Sequence, residues 1–146
     1  MSTSPSAPPV HLAVHECWAL LREAVTGRLA VVVDGAPDIF PVTHVVDHGS
    51  LVFRTADGTK LAAAGTGPVA YEVDGYDPGS GEAWSVVVKG EAHEVRQLHD
   101  ALDVLRLPLT PAHPAGKPHL VRIEPTGVTG RRFRVRGQDP VGDPVP

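Results

Sequence analysis

The sequence predicts a mainly β protein, a closed or partly closed β-barrel with a few short helices. Short apolar runs rich in β-branched residues recur along the middle of the chain, and turn signals separate them. The 146 residues include 15 glycines and 15 prolines, enough for frequent turns without the bias of a low-complexity chain. Few segments have helical spacing, so consecutive antiparallel strands are favoured over alternating strands and helices.

The first predicted elements are a helix and the first strand of a hairpin. Apolar residues at helical spacing over residues 15–25 predict the helix, and Gly27 indicates its end. Residues 28–33 form a β-branched run that predicts a strand. The Asp34-Gly35 pair after it is a strong signal for a two-residue turn.

Residues 38–47 supply the partner strand, and Pro41 lies inside it. Because proline has no N–H to give to a ladder, it indicates an edge, a bulge or a groove-facing position. The turn at His48-Gly49 leads to a third strand over residues 50–55. The later predictions are helices over 57–64 and 96–106, strands over 69–76 and 84–95 with a bulge at Gly90, a proline-rich loop, and a last strand over 119–136 interrupted by Pro125 and Gly127.

Composition limits the classes of function. The net charge of −4 argues against a nucleic-acid binder, and no apolar stretch is long enough to cross a bilayer. One cysteine, Cys17, cannot form an internal disulfide, which favours a cytoplasmic protein. We expect one domain over residues 11–136 between disordered tails at 1–10 and 137–146. With two Trp, two Tyr and three Phe residues the core is thin, so self-association would help it.

One segment has the pattern of a phosphate site. Arg54 and Thr55 end a predicted strand, and Thr59 and Lys60 follow in the first turn of a predicted helix. A phosphate favours such fixed cations, hydroxyls and helix N-terminal N–H groups. The simpler alternative is that Asp57 caps the helix and the two cations are solvated. The spacing alone leaves both open.

The order of several short motifs resembles the pyridoxamine 5′-phosphate oxidase-like family over about residues 15–95. The motifs are Gly27-Arg28-Leu29-Ala30, the segment 38–42, Leu51 to Thr55 with Gly58-Thr59-Lys60, Val73-Asp74, the segment 84–88 and Gly90-Glu91-Ala92. The resemblance implies a split barrel that binds FMN across a homodimer interface and acts on a small-molecule substrate.

The resemblance also implies roles for individual residues. Arg54, Thr55, Thr59 and Lys60, with Phe53 beside them, would hold the flavin phosphate. The residues along the isoalloxazine ring would be Pro41, Val42, Thr43 and His44, and Trp84 and Ser85 would contact the flavin from a neighbouring strand. Trp84 has an alternative as a core residue.

The substrate side departs from the family pattern, so pyridoxamine 5′-phosphate itself is not the expected substrate. On the last strand Arg132, Arg134 and Arg136 share one face, either as a solvated surface or as an anion site near the flavin. His44 is the candidate proton donor to a substrate, unless it is a satisfied internal histidine.

Three functions remain open: an FMN-dependent oxidoreductase, a deazaflavin-dependent reductase, and a flavin- or haem-binding protein without turnover. A metal site is not expected. His44 and His48 on one extended strand would lie roughly 13 Å apart, too far to bind one ion.

Overall fold

The computed structural model describes residues 8–55, 67–95 and 119–135. These contain one helix, α1 (Val14–Glu23), and seven strands. The strands are β1 (Val10–His11), β2 (Thr26–Val33), β3 (Ala36–Asp47), β4 (Ser50–Thr55), β5 (Gly67–Asp77), β6 (Glu82–Glu94) and β7 (His119–Arg134).

The strands form one antiparallel sheet in the order β1-β7-β4-β3-β2-β5-β6, and β7 also pairs with β6. This second pairing closes the sheet because β7 is long enough to serve both neighbours. Its first part, from His119 to Ile123, pairs with β4, and the ladder with β6 runs from Val121 to Arg134. The predicted mainly β barrel is therefore confirmed.

Two tight turns set the register of the first three strands. Asp34 and Gly35 both have positive φ values, 51° and 78°, and so do His48 and Gly49, at 49° and 72°. Two consecutive left-handed residues are what a two-residue hairpin turn of the primed type requires. Both predicted turns are confirmed.

The core lies inside the barrel and is closed at one end by α1. Alternate residues of each strand point inward, as the two-residue period of a strand requires. From α1, Cys17 and Leu21 are fully buried against this core. Gly130 on β7 makes the contact possible, because a side chain there would meet the Cys17 sulfur at 2.6 Å. The buried apolar strand residues include Leu29, Val42, Phe53, Tyr71, Val73, Val86, Val88, Val121 and Ile123.

Several boundaries differ from the prediction. The helix ends at Glu23, and Gly27 lies inside β2 rather than stopping the helix. The ring of Tyr71 occupies the place where a Cβ of residue 27 would lie, so this glycine serves packing. The short β1 was not predicted, and its Val10 lies within the segment expected to be a tail.

The last strand, predicted to be interrupted by Pro125 and Gly127, is one continuous strand, but its ladder with β6 is irregular between these two residues, where the register skips Thr126. The bulge predicted at Gly90 is found as a register shift between Lys89 and Gly90, and the extra residue is Thr126 on β7. Gly90 is needed there because a Cβ would meet the carbonyl oxygen of Glu124. The predicted helices over 57–64 and 96–106, the proline-rich loop and the C-terminal tail lie outside the described residues.

Candidate functional site

The candidate site is centred where β3 and β4 separate. Their ladder ends at the pair His44 and Phe53, and the next residues on the two strands are Thr43 and Arg54. Val42, His44 and Phe53 are buried inside the barrel. Because successive side chains alternate, Pro41, Thr43 and Arg54 belong to the outer face. The sequence-predicted set is thus split between the two faces of β3 and β4.

Arg54 and Thr55 carry the most informative feature of this region. The Nε atom of Arg54 and the Oγ1 atom of Thr55 are buried, and neither has a hydrogen-bond partner among the described residues. Leaving a buried polar group unpaired costs about 1–3 kcal/mol, so such groups are rare without a function. As consecutive residues of a strand they approach the end of β4 from opposite faces, and a guanidinium nitrogen and a hydroxyl there suit an anionic ligand that lies across the strand end. Thr59 and Lys60, predicted to complete this phosphate site, lie outside the described residues.

Pro41 lies at a point where β3 pairs on one side only. Its cross-strand partner is Arg28 on β2, while the ladder with β4 begins three residues later at His44. The missing N–H therefore breaks no ladder bond on the open side. This agrees with the prediction of an edge-like or groove-facing proline, although β3 as a whole is an inner strand of the sheet.

His44 is buried, with a relative accessibility of 4%. Its Nε2 lies 2.9 Å from the carbonyl oxygen of Leu21 and its Nδ1 lies 2.5 Å from the hydroxyl of Tyr71. Burial lowers the pKa of His44, and the bond to the Leu21 carbonyl opposes this only in part. Both ring nitrogens are engaged inside the protein, as for a satisfied internal histidine, and the ring offers no free atom to a substrate.

Trp84 and Ser85 lie on opposite faces of β6. Trp84 packs against the core, and its indole ring covers Gly75, where a Cβ would come within 2.8 Å of three ring atoms. Ser85 belongs to the outer face and lines a groove of about 380 Å³ together with His11 and Arg131. Within one chain, Trp84 and Ser85 lie opposite Arg132 and Arg131, whereas Arg54 lies opposite Leu120 near the other end of β7, so neither residue joins the group around Arg54.

The three described arginines at the C-terminal end of β7 are on the surface. Arg132 and Arg134 are exposed, and Arg132 lies 3.9 Å from Glu82. The guanidinium of Arg131 lies 5.7 Å from the centre of the Phe133 ring. Arg136 lies outside the described residues.

An ionic cluster that was not predicted from the sequence lies on the outer face beside Pro41. Arg28 lies opposite both Pro41 on β3 and Glu72 on β5. Its Nη1 lies 3.1 Å from Glu72 and 3.3 Å from Asp74. Desolvation and the neighbouring Asp74 raise the pKa of Glu72 to about 7, against the effect of Arg28. The spacing of the two carboxylates by two residues was visible, but their cation comes from a strand distant in sequence.

Within the described parts of the chain, no three His, Cys, Asp or Glu side chains are grouped as a metal site would need. In the same residues no helix is long and apolar enough to cross a membrane.

Comparison with known proteins identifies the family. Residues 13–132 match the profile of the family described as pyridoxamine 5′-phosphate oxidase. The chain belongs to this family.

Several proteins resemble this family member over most of its length. An FAD-binding protein from Mycobacterium smegmatis is 41% identical, with 88% of this chain and 99% of that one covered and a TM-score of 0.76. A Corynebacterium glutamicum protein, provisionally assigned as a pyridoxamine 5′-phosphate oxidase, is 36% identical, covers 90% and 98%, and has a TM-score of 0.78. An uncharacterised protein of Mycobacterium tuberculosis is 34% identical over 90% of both chains. The split-barrel fold inferred for the family is thus shown for this member.

Proposed function

We propose that this chain is a flavin-dependent oxidoreductase that binds FMN by its phosphate at Arg54 and Thr55 and acts on a small molecule. The observation that carries the proposal is the pair of buried atoms at the end of β4, Arg54 Nε and Thr55 Oγ1, with no partner in the described structure. A flavin phosphate would satisfy both with charge-assisted hydrogen bonds. Thr59 and Lys60, from the family resemblance, would add a hydroxyl and a second cation.

The surroundings of these two atoms suit the rest of a flavin. Val52 and Leu120 form a small apolar cluster on the outer face, with Val45 packed against it. Further along β3, Pro41 and Thr43 face outward where the β4 ladder has ended. An apolar and weakly polar strip beside an anion site matches a flat aromatic ring joined to a phosphate.

A bound flavin would supply the reversible transfer of electrons and hydride. The work of this chain would then be to bind and orient. Arg54 and Thr55 would fix the phosphate, and the outer face of β3 would set the plane of the ring. His44 is internal, so we do not assign it a proton transfer to substrate. On the outer face, desolvation raises the pKa of the Glu72 carboxyl to about 7, so this group exchanges a proton near neutral pH.

The relative from M. smegmatis is described as an FAD-binding protein, which supports a flavin for this chain. FAD contains the whole of FMN, including the ring and the first phosphate, so the same pair of side chains could hold either cofactor. We expect the cofactor to be FMN. Binding of FAD in its place would revise this choice.

The proposed assembly is a homodimer with the cofactor between the subunits. Its support is an apolar patch on the outer face of β2, β3 and β5. Val32 and Ile39 are 69% and 62% exposed, although both are large aliphatic residues. Beside them a groove of about 410 Å³ is lined by Pro37, Pro68 and Ala70. A second copy would cover this patch and would also add buried apolar contacts to a protein whose core is small. The proposed location is the cytoplasm, where the single buried thiol of Cys17 stays reduced.

The test compares binding of FMN, FAD and riboflavin to the purified protein by calorimetry and by the change in flavin absorption. Arg54→Ala should weaken FMN binding by about 10- to 150-fold, the effect of one hydrogen bond between charged groups. Riboflavin, which has no phosphate, should bind the variant and the wild type equally. Arg22→Ala, which removes an exposed arginine from α1, is the matched control and should leave all affinities unchanged.

Equal losses for FMN and riboflavin would show that Arg54 does not hold the phosphate. A protein that binds neither FMN nor FAD would overturn the proposed function. A Soret band in the purified protein would show that the cofactor is haem, and a deazaflavin spectrum would show that it is a deazaflavin.

A further inference from the structure

The side chain of His44 joins three elements of the barrel. Its ring lies on β3 between the end of α1, at the Leu21 carbonyl, and the hydroxyl of Tyr71 on β5. The backbone N–H of His44 also donates to the carbonyl of Val25, 3.1 Å away, just after the helix. The imidazole and phenol rings meet edge to face, with centroids 5.0 Å apart.

The neighbours of His44 determine which nitrogen carries the proton. A carbonyl oxygen can only accept, so Nε2, at 2.9 Å from the Leu21 oxygen, must be the protonated nitrogen. In the neutral ring Nδ1 is then an acceptor, and the Tyr71 hydroxyl donates to it. Tyr71 has a single hydroxyl proton, so the Val42 carbonyl oxygen, 3.3 Å from the same hydroxyl, receives none.

Adding one proton to His44 reverses this arrangement. Both ring nitrogens of an imidazolium are donors, so Nδ1–H would donate to the Tyr71 oxygen. The Tyr71 hydroxyl keeps its proton but can no longer donate it to Nδ1, and the Val42 carbonyl oxygen is the acceptor within reach. Protonation of Nδ1 therefore reverses the hydrogen bond between His44 and Tyr71. It also creates a second hydrogen bond, from the Tyr71 hydroxyl to the Val42 carbonyl on β3.

We propose that His44 and Tyr71 are positioning residues for the segment 41–43 of β3, and that a proton on Nδ1 of His44 alters flavin affinity by engaging the Val42 carbonyl. Val42 lies between Pro41 and Thr43, whose outer face is assigned above to the flavin ring. The inference rests on the proposed function for its effect on binding, but the hydrogen-bond exchange itself takes place in the flavin-free protein.

The groups around the His44 ring do not change their charge during the exchange, so only His44 gains a proton and only the Tyr71 hydroxyl changes its hydrogen bond. Burial raises the pKa of Tyr71 far above neutrality, in spite of Arg28 on β2, so the phenol keeps its proton. From β4 the opposite residue is Phe53, which has no charge. On α1 burial also raises the pKa of the Cys17 thiol, which stays neutral. Because burial lowers the pKa of His44, we expect the exchange below pH ~6.5, the ordinary histidine value.

The first test is nuclear magnetic resonance of the flavin-free protein labelled with ¹⁵N and ¹³C. At neutral pH the His44 ring should give the pattern of a neutral Nε2–H tautomer. As the pH falls, the carbonyl ¹³C signal of Val42 should move together with the His44 ring. In Tyr71→Phe the ring should still titrate, but the Val42 carbonyl should stop following it. His15→Gln, which removes an exposed histidine of α1, is the control and should leave both responses unchanged.

The second test measures FMN affinity against pH for the same proteins. Wild type should change its affinity by about two- to tenfold across the His44 titration, the size expected of one neutral hydrogen bond. Tyr71→Phe should show a flat profile over this range, and a purely structural role of Tyr71 would lower affinity without changing the profile.

An Nδ1–H tautomer at neutral pH, or a Val42 signal that moves alike in Tyr71→Phe and wild type, would overturn the proton exchange. A normal exchange with a pH-independent FMN affinity would overturn the link to binding. Failure to bind any flavin would instead reject the proposed function, while the resonance experiment would still decide the exchange.

Discussion

Arg28 on β2 lies directly opposite Glu72 on β5, and its Nη1 is 3.1 Å from the Glu72 carboxylate. The same nitrogen also serves Asp74, at 3.3 Å. One guanidinium therefore faces two carboxylates on a partly covered surface. Desolvation raises the pKa of Glu72, and the hydrogen bond with Asp74 and its charge raise it further, so a protonated Glu72 is favoured even beside a cation.

This cluster predicts a pH dependence of stability. The pKa of Glu72 is about 7 in the folded protein and ~4.3 in an unfolded chain. Because the folded value is raised, the contribution of Glu72 is fully present below pH ~4.3 and is lost as the pH rises through about 7. The free energy of unfolding of wild type should therefore fall relative to that of Glu72→Gln between pH 5 and 8, as measured by urea denaturation.

The comparison with Glu72→Gln is needed because His44 acts in the opposite direction. Burial lowers the pKa of His44, so its contribution falls as the pH drops through the ordinary histidine range. It is the same in both proteins and cancels from the difference. Glu91→Gln, on the exposed side of β6, should run parallel to wild type. A Glu72→Gln curve that also ran parallel would contradict the raised pKa.

A second prediction concerns the contact between Gly27 and Tyr71. A Cβ on residue 27 would lie inside the space of the Tyr71 ring, which is held by the His44 hydrogen bond. Gly27→Ala should therefore destabilise the protein by about 1–3 kcal/mol, the usual cost of overpacking. Gly127→Ala is the control, because nothing lies within 4 Å of a Cβ there. Equal denaturation midpoints for the two variants would show that the ring moves aside at no cost.

A third prediction compares two ion pairs that differ in burial. Arg122 donates to Asp47 at 3.0 Å and to Ser50, and its side chain is only 16% exposed. Arg122→Met should cost up to about 3 kcal/mol, because it removes hydrogen bonds to a largely buried carboxylate and leaves Asp47 with the exposed His48, 2.9 Å away, as its remaining ionic partner among the described residues. Arg132→Met breaks an exposed pair with Glu82 and should cost under about 1 kcal/mol. Similar losses in thermal or urea denaturation would contradict the role assigned to burial.

The parts of the fold that local chemistry determines could be predicted from the sequence. Asp34-Gly35 and His48-Gly49 tolerate left-handed backbone, so both turns and the strands around them were predictable. The continuity of β7 past Pro125 was not, because it depends on a register shift opposite Lys89 and Gly90 that leaves Thr126 as an extra residue of β7. That compensation joins residues from two distant segments.

The site was predictable in position but not in orientation. Along β3, Pro41, Thr43 and Val45 alternate with Val42, His44 and Val46, and either set could have lined the barrel. Only Tyr71 and the Leu21 carbonyl, which satisfy both nitrogens of His44, explain why the second set is inside. Neither partner is near His44 in sequence.

The last prediction tests the apolar patch of β2 and β3 as a dimer interface. Val32→Glu and Ile39→Glu each place a charge on a face where both side chains are mostly exposed in the single chain. If a second copy covers this face, burying an unpaired carboxylate is unfavourable, and each variant should be monomeric at concentrations where wild type is dimeric. Sedimentation would measure the mass, and circular dichroism would show that the barrel is intact.

Val14→Glu is the control, since Val14 is equally exposed but lies in the first turn of α1, where an acidic residue is favourable. FMN binding should weaken in the two monomeric variants but not in the control, because the cofactor is proposed to lie between the subunits. A wild type that sediments as a monomer at micromolar concentration would contradict the homodimer, and full FMN affinity in a monomeric variant would show that one subunit is sufficient for binding.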